Sequence, residues 1–405
     1  MGRAKQQQIE DWERGFSCDD DLTVCIDCFE EEGIVQFITD HHNSTVCSFC
    51  QTDSQSTIAC SLGSVIEHIL ISISYEWSDP NSEGLSYITK EGGWQGTTYD
   101  SWELFEMIEV GIPNSKLQDY IINSIDNLLW CERNPYSLKK DETFMYGWSH
   151  FCDFVKSKAR YLFLDAKNPD YDERQHDEMN PVKILDVLKH IINKYNLIEV
   201  LNTDTDIKRV RISEISESFV TAKELGSPPI EYATMPNRMS PAGIPMFYGA
   251  FEIETAISET YQKCEVDKKA TCGIFRPLRD LVLIKLPEQS IIPSLFDEYN
   301  RETRSDLRFL NGFVRDFIKP IDRDDKAHID YVPTQIVTEH FRYIFKTDNG
   351  LQVDGVMYPS SKNNRHKAVV IFATSEQCIE ADEKLQDDSL LRLVGIETEV
   401  IKGTT

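Results

Sequence analysis

Two Cys-x-x-Cys pairs near the start of the chain, Cys25/Cys28 and Cys47/Cys50, constrain its folding more than any other feature. Each pair brackets a turn tight enough to aim both sulfurs at one point, and two such turns complete a tetrahedral shell of thiolates around one ion. The spacing predicts a zinc knuckle over 18–52 with Cys25, Cys28, Cys47 and Cys50 as ligands. A closed four-thiolate shell leaves no open coordination position, so the expected role of the Zn2+ is structural. His41 and His42 fall between the pairs but read as surface residues, because two complete pairs already fill the shell. The total of 11 cysteines is odd. In a reducing compartment that count and spacing fit metal binding plus ordinary buried thiols, not a disulfide framework.

The remaining length allows a substantial core. A chain of 405 residues accommodates two or three domains, and 40% hydrophobic with 10% aromatic content describes a globular protein. A formal net charge of −26 argues against broad nucleic-acid binding, which needs a basic surface. No basic start leads into an apolar stretch, as a signal peptide requires, and the apolar runs at 281–284 and 368–373 are too short to span a bilayer. The expectation is a cytoplasmic protein without membrane association.

Periodicity divides the chain into an α+β arrangement of three segments. After the knuckle, 58–198 reads as a helical middle domain. Val65, Ile66, Ile69, Leu70 and Ile73 recur at helical spacing, as do Leu117, Tyr120, Ile121, Ile125, Leu128 and Leu129. The stretch 148–163 mixes aromatics with Lys156, Lys158 and Arg160 and reads as a core helix with a basic face, with a docking surface as the alternative. A loop is expected at 168–180, followed by a helix over 181–192 with Asn180 as N-cap and Pro181 at its first position. Beyond a linker near 201–206, strands are expected at 208–212, 246–250, 280–286, 355–358, 368–373 and 397–402. Helices near 255–261, 306–319 and 333–345 alternate with them, giving a C-terminal mixed α/β domain over 206–402.

The chemistry concentrates in that last segment. Arg238 sits in a Pro/Gly-rich loop, Tyr248 ends a short apolar run and Glu259 lies on an expected helix, ten and then eleven positions apart. A cation, an aromatic ring and a carboxylate are thus brought within 22 residues of one another. Arg209 and Arg211 precede them on a strand whose alternation places both on one face. Ser360 follows about a hundred residues later in the run Tyr358, Pro359, Ser360, Ser361.

This constellation resembles the RES domain, named for its Arg, Glu and Ser. The Cys-rich start and helical middle are similar to the HEPN-like segment that precedes some RES domains, so the resemblance covers nearly the whole chain. It implies a fold similar to ADP-ribosyltransferases of the diphtheria-toxin type and an enzyme that consumes NAD+, cleaving its nicotinamide–ribose bond. The ADP-ribose passes to phosphate, water or a protein acceptor. Family members commonly act as toxins restrained by an antitoxin or another regulatory partner, and a homo-oligomer is compatible with this chain. Carried over by position, Arg238, Tyr248, Glu259 and Ser360 match the family's loop arginine, tyrosine, glutamate and serine, while Arg209 and Arg211 match its arginine-bearing first strand.

The residue types suit those implied roles. Nicotinamide leaves as a neutral group, so the barrier lies in the positive charge left on the sugar, which Glu259 would face. The Arg238 fork suits a pair of pyrophosphate oxygens. Tyr248 would stack on the nicotinamide or wall the pocket. Ser360 has no His or Lys partner in the sequence to activate it and reads as a hydrogen-bond donor rather than a nucleophile. The chain departs from a ribonuclease-active HEPN domain, since Arg133, Arg160 and Arg174 lack a histidine four to six intervening residues downstream. No GxGxxG or GK[ST] element supports a Rossmann or P-loop site. Two further readings stand beside NAD+ cleavage: a protein ADP-ribosyltransferase on the same scaffold, and a non-enzymatic zinc-dependent binding or sensor protein.

Overall fold

The computed structural model describes residues 11, 13–90, 92–164, 179–261, 263–320, 326–363 and 366–403. The chain divides into two compact units, Met1–Lys139 with Ile291–Leu307, and Lys140–Ser290 with Arg308–Thr405. This division differs from the linear segments 18–52, 58–198 and 206–402. The stretch Ile291–Leu307 returns to the first unit, and Lys140 already begins the second. The expected loop at 168–180 lies outside the described residues, except for Met179 and Asn180.

In the first unit, strand Thr23–Cys25 pairs antiparallel with Ala59–Ser61, which holds the first cysteine of the knuckle at a strand end. Helix Leu62–Ile73 buries Val65, Ile66, Ile69 and Ile73 of the strip that its spacing predicted; Leu62 joins them, and Leu70 is only partly buried against the same core. Helix Glu32–His41 adds Ile34 and Ile38 to the same core, and Leu295 and Phe296 of the returning stretch complete it. Helix Ser115–Ser124 is capped by Asn114, whose Oδ1 accepts from the Lys116 and Leu117 N–H groups at 3.0 and 3.3 Å.

The helical spacing through Leu128 and Leu129 misleads at this point. Ile125 already has extended backbone, and Leu129–Glu132 is a strand pairing with Trp77–Ser78 and Tyr99–Asp100. Apolar residues at helical spacing therefore run across a turn, and the middle region is not wholly helical. A second short hairpin, Tyr87–Ile88 with Gly93–Trp94, lies in the same region.

The second unit is built on a nine-stranded mixed sheet. Its strands in chain order are β1 Ile198–Leu201, β2 Ile207–Ser213, β3 Phe247–Ala250, β4 Lys268–Pro277, β5 Leu281–Lys285, β6 Gly355–Pro359, β7 Lys367–Ile371, β8 Cys378–Ile379 and β9 Leu391–Ile401. Across the sheet they run β8-β9-β4-β2-β3-β7-β6-β5-β1. Most pairs are antiparallel; β5/β6 and β8/β9 are parallel. Its helices include α1 Lys140–Ser157, α2 Ile184–Lys194, α3 Ile253–Thr260, α4 Arg304–Phe317, whose residues up to Leu307 belong to the first unit, and α5 Val332–Tyr343; α3 and α5 serve the site. A 3-10 turn, Pro181–Lys183, precedes α2, with Asn180 Oδ1 accepting from the Val182 N–H at 3.2 Å. The mixed stretch at 148–163 supplies core: Trp148, Phe151, Phe154 and Val155 of α1 are buried, and the Trp148 indole N–H donates to Asp316 at 2.6 Å.

Strands β1, β4 and β8 have no counterpart among the expected strands, and β9 has one only in part. β4 carries Ala270, Thr271, Cys272 and Gly273, all buried, because both faces of this central strand are covered. Such a strand has no polar face and so shows no alternation. β9 starts six residues earlier than the expected 397–402, since Gly395 interrupts its apolar pattern opposite a register shift at Ile274/Phe275. β1 falls in what read as the end of the helical segment.

Alternation assigns each sheet residue to a face. On one face Ile207, Phe247, Phe275, Met357, Val369 and Ile371 form a core. On the other, Val210, Ala250, Ala270 and Cys272 pack beneath Ala256, Ile253 and Ile257 of α3. That second face carries the site.

Candidate active site

The site begins at a split in the sheet. β2 and β3 share one partner pair, Lys208 and Ala250. Beyond it, Arg209 to Ser213 stay paired with β4 while Phe247 to Gly249 stay paired with β7. Gly249 sits where the strands part, and a Cβ there would lie 2.8 Å from Ile207 Cγ2 and 3.1 Å from the Lys208 carbonyl. Arg209 spans the gap: its Nη1 donates to the Tyr248 carbonyl at 2.8 Å, and its guanidinium lies 5.5 Å over the Phe247 ring. The Arg209 Nε is buried with no hydrogen-bond partner among the described residues. Burial, reinforced by the charge of Arg211, pulls Arg209 down to about 10, which still leaves it cationic near neutrality.

The Arg238 loop is held from below by α5, which starts with Pro333 in its first turn. Thr334 Oγ1 donates to the Arg238 carbonyl. The Gln335 amide donates to the carbonyls of Asn237 at 2.8 Å and Ser240 at 3.3 Å. Met239 is fully buried between them. Further along, Gly243 adopts φ +87°, a turn conformation that favours glycine, and its N–H reaches the Ala233 carbonyl. Arg238 Nη2 donates to the Lys319 carbonyl at 3.2 Å, while its Nε is buried without a partner among the described residues. Among the described residues two buried guanidinium N–H groups of the site thus lack protein acceptors, a condition native structures tolerate where a ligand or water supplies them.

Tyr248 donates or accepts through its hydroxyl with Ser240 Oγ at 2.9 Å. Burial raises its phenol to about 12, so it stays protonated. Glu259 is placed by helical geometry: Thr255, four residues earlier, is fully buried, which turns the Glu259 strip toward the sheet. Ser360, 3% exposed, follows β6 and donates to Glu259 Oε1 at 2.5 Å. Its Oγ also accepts the N–H groups of Lys362 at 3.2 Å and Asn363 at 3.1 Å, and Asn363 ties this turn to Thr255 Oγ1.

These elements enclose a cavity of about 430 Å³ lined by Arg209, Arg238, Tyr248 and Glu259 together with Asn237, Tyr331, Tyr358 and Lys362. The volume is within the range of small-molecule sites. Ser360 stands behind Glu259 rather than in the wall. Arg211 is also outside the lining; its guanidinium lies 5.8 Å over Phe219. The sequence reading named Tyr358 in the run with Ser360 but gave it no role, although strand alternation puts the two on the same face. Nothing local marks Thr334 and Gln335, which act on a loop nearly a hundred residues earlier.

In the first unit, the four knuckle cysteines gather their sulfurs within 4.8 Å of one another. Neighbouring Sγ atoms are 3.9 Å (Cys25–Cys28), 3.4 Å (Cys25–Cys50) and 3.6 Å (Cys28–Cys47) apart. Four sulfurs at 2.3 Å from a tetrahedral zinc would be roughly 3.8 Å apart, so the donor set fits that ion. His41 and His42 stay outside the cluster, bonded instead to the carbonyls of Phe37 and Thr39.

Two family models match the chain: HEPN/RES N-terminal domain 1 over residues 40–169, and the RES domain over 211–393. This is a RES-domain protein. Arg238, Tyr248, Glu259 and Ser360 all lie inside the matched RES segment, and Arg209 lies two residues before it. Of the knuckle cysteines, Cys47 and Cys50 fall within the N-terminal match and Cys25 and Cys28 precede it. No curated protein and no solved structure matches the chain. RES domains are associated with NAD-utilising activity. Among the described residues no helix is long and apolar enough to cross a membrane.

Proposed function

We propose that this RES domain binds NAD+ in the cavity at the sheet split and cleaves its nicotinamide–ribose bond. The observation that carries this reading is the convergence of Arg209, Arg238, Tyr248 and Glu259 on one cavity wall, with Ser360 holding the carboxylate. The two arginines take the pyrophosphate, whose oxygens satisfy the unpartnered guanidinium N–H groups. Tyr248 packs against the nicotinamide ring. Glu259, kept in one orientation by the Ser360 hydroxyl, accepts a hydrogen bond from the ribose and faces C1′.

Bond cleavage then needs no general acid. The C1′–N bond breaks with its electron pair going to the nicotinamide nitrogen, which becomes neutral. The sugar takes up the positive charge, and the fixed negative charge of Glu259 favours this state over bound NAD+. A phosphate oxygen or a water oxygen closes on C1′; with water, a proton is released to solvent. Ser360 is a positioning residue here, because its hydroxyl proton is committed to Glu259 and its lone pairs to two backbone N–H groups.

The same reading includes a fold similar to diphtheria-toxin-type ADP-ribosyltransferases, with the catalytic domain at 206–402, and a cytoplasmic NAD+-depleting toxin or defence effector restrained by a partner. The knuckle over 18–52 binds one structural zinc through Cys25, Cys28, Cys47 and Cys50; it supplies no chemistry to the cavity. Protein ADP-ribosylation is the second reading, since the cleavage step is common to both and only the acceptor differs. Incubation of the purified protein with NAD+, with and without phosphate, tests all branches by mass spectrometry. ADP-ribose-1″-phosphate, free ADP-ribose or a mass-shifted protein marks phosphorolysis, hydrolysis or transfer, and intact NAD+ rejects the reading.

A further inference from the structure

Tyr358 stands in the cavity wall with no assigned role. It is 5% exposed, and among the described residues its hydroxyl makes no hydrogen bond. A buried phenol usually finds a partner for its O–H, and a phenylalanine would fill the same apolar space without stranding a polar atom. The hydroxyl is not sealed in protein, since the residue lines the cavity.

Sheet register fixes where this side chain points. Tyr358 is directly opposite Ala368 on β7, and Tyr248 of β3 is opposite Val370 on the same strand. Cross-strand partners share a face, and residues 368 and 370 are two apart on one strand. Tyr358 and Tyr248 therefore project from the same face, from strands on either side of β7, and this is the face on which α3 presents Glu259. Ser360, two residues beyond Tyr358, projects with them. The charges acting on the Tyr358 phenol agree with this placement: after burial, which is the main cause of its upward shift, the Glu259 carboxylate acts most strongly, followed by Arg238. The two tyrosines differ in one respect. The Tyr248 hydroxyl already has Ser240 as a partner, whereas the Tyr358 hydroxyl is free for a ligand.

We infer that Tyr358 is a further catalytic residue, its phenolic O–H donating to a hydroxyl oxygen of the ribose that Glu259 also grips. The inference rests on the NAD+-cleaving reading above and adds to it a two-point hold on the reacting sugar. A carboxylate that only accepts and a phenol that donates can engage adjacent ribose hydroxyls without competing. The pair would orient C1′ toward the open part of the cavity, so that the incoming acceptor meets the sugar from one side.

Steady-state NAD+ cleavage by wild type, Tyr358→Phe, Glu259→Gln and the double variant tests this, with thermal melts of each. The expected result is a fall of about tenfold or more in kcat/KM for Tyr358→Phe at an unchanged melting temperature. In the Glu259→Gln background the same substitution should cost much less, because the two residues act on one sugar. Wild-type kcat/KM in Tyr358→Phe, losses that add fully, or a loss explained by a lowered melting temperature would each overturn the inference and leave the NAD+ reading standing. A wild-type protein that leaves NAD+ intact would overturn both.

Discussion

Replacing Ser360 with alanine separates positioning from chemistry at this site. The Ser360 hydroxyl gives Glu259 a hydrogen bond of 2.5 Å and accepts two backbone N–H groups of the following turn. A hydrogen bond to an ionised group contributes about 1.5–3 kcal/mol. If Glu259 loses all of that orientation in the transition state, kcat/KM falls by about 10- to 150-fold, at about 1.36 kcal/mol per decade. Removing the carboxylate itself should cost about 10²–10³. Ser360→Ala therefore belongs between wild type and Glu259→Ala, and KM should move less than kcat because the lost contact matters as charge develops on the sugar. The stranded N–H groups of Lys362 and Asn363 add a small stability cost, limited because Lys362 is exposed and water can replace the serine oxygen. The assay is initial-rate NAD+ loss alongside a thermal melt. Full activity in Ser360→Ala would refute the positioning argument. Activity below that of Glu259→Ala would show instead that the hydroxyl takes part directly.

Three other outcomes follow from the same geometry. Gln335→Leu removes the donor shared by the Asn237 and Ser240 carbonyls, so the Arg238 loop should loosen and KM for NAD+ should rise about tenfold with a smaller change in kcat; an unchanged KM would mean that the loop holds its shape without α5. Arg238→Ala should abolish measurable NAD+ turnover while circular dichroism stays that of the wild type, and retained turnover would remove the pyrophosphate role. Elemental analysis should find about one zinc per chain, lost in Cys47→Ser with destabilisation of the first unit; metal-free wild type with an unchanged melting profile would exclude the knuckle.

Legibility differed between the knuckle, the sheet and the site. Strands β3, β5 and β6 could be placed to within a residue or two, and the helix Leu62–Ile73 could be read from Val65 onward, because each has one polar side or clear turn residues at its ends. β4 was invisible because it is buried on both faces. Leu128 and Leu129 extended a helical spacing that the chain abandons at Ile125, since apolar spacing alone does not record where the backbone turns. The return of Ile291–Leu307 to the first unit leaves no local trace either, because Leu295 and Phe296 would suit either core.

What the residues alone determined were the chemical types and their order: four thiols in two tight pairs, then arginine, tyrosine, glutamate and serine. These follow from local spacing, and spacing is a property of the chain. Only the tertiary structure decided which of them meet. Strand alternation put Arg209 and Arg211 on one face, yet the divergence of β2 from β3 opens a gap that admits Arg209 to the cavity and leaves Arg211 over Phe219. Register across β7 aligned Tyr358 with Tyr248, and α5 fixed the Arg238 loop from almost a hundred residues away. Sheet splitting, register and long-range hydrogen bonds depend on which segments pair, and pairing is settled by the packing of the whole fold rather than by any window of sequence.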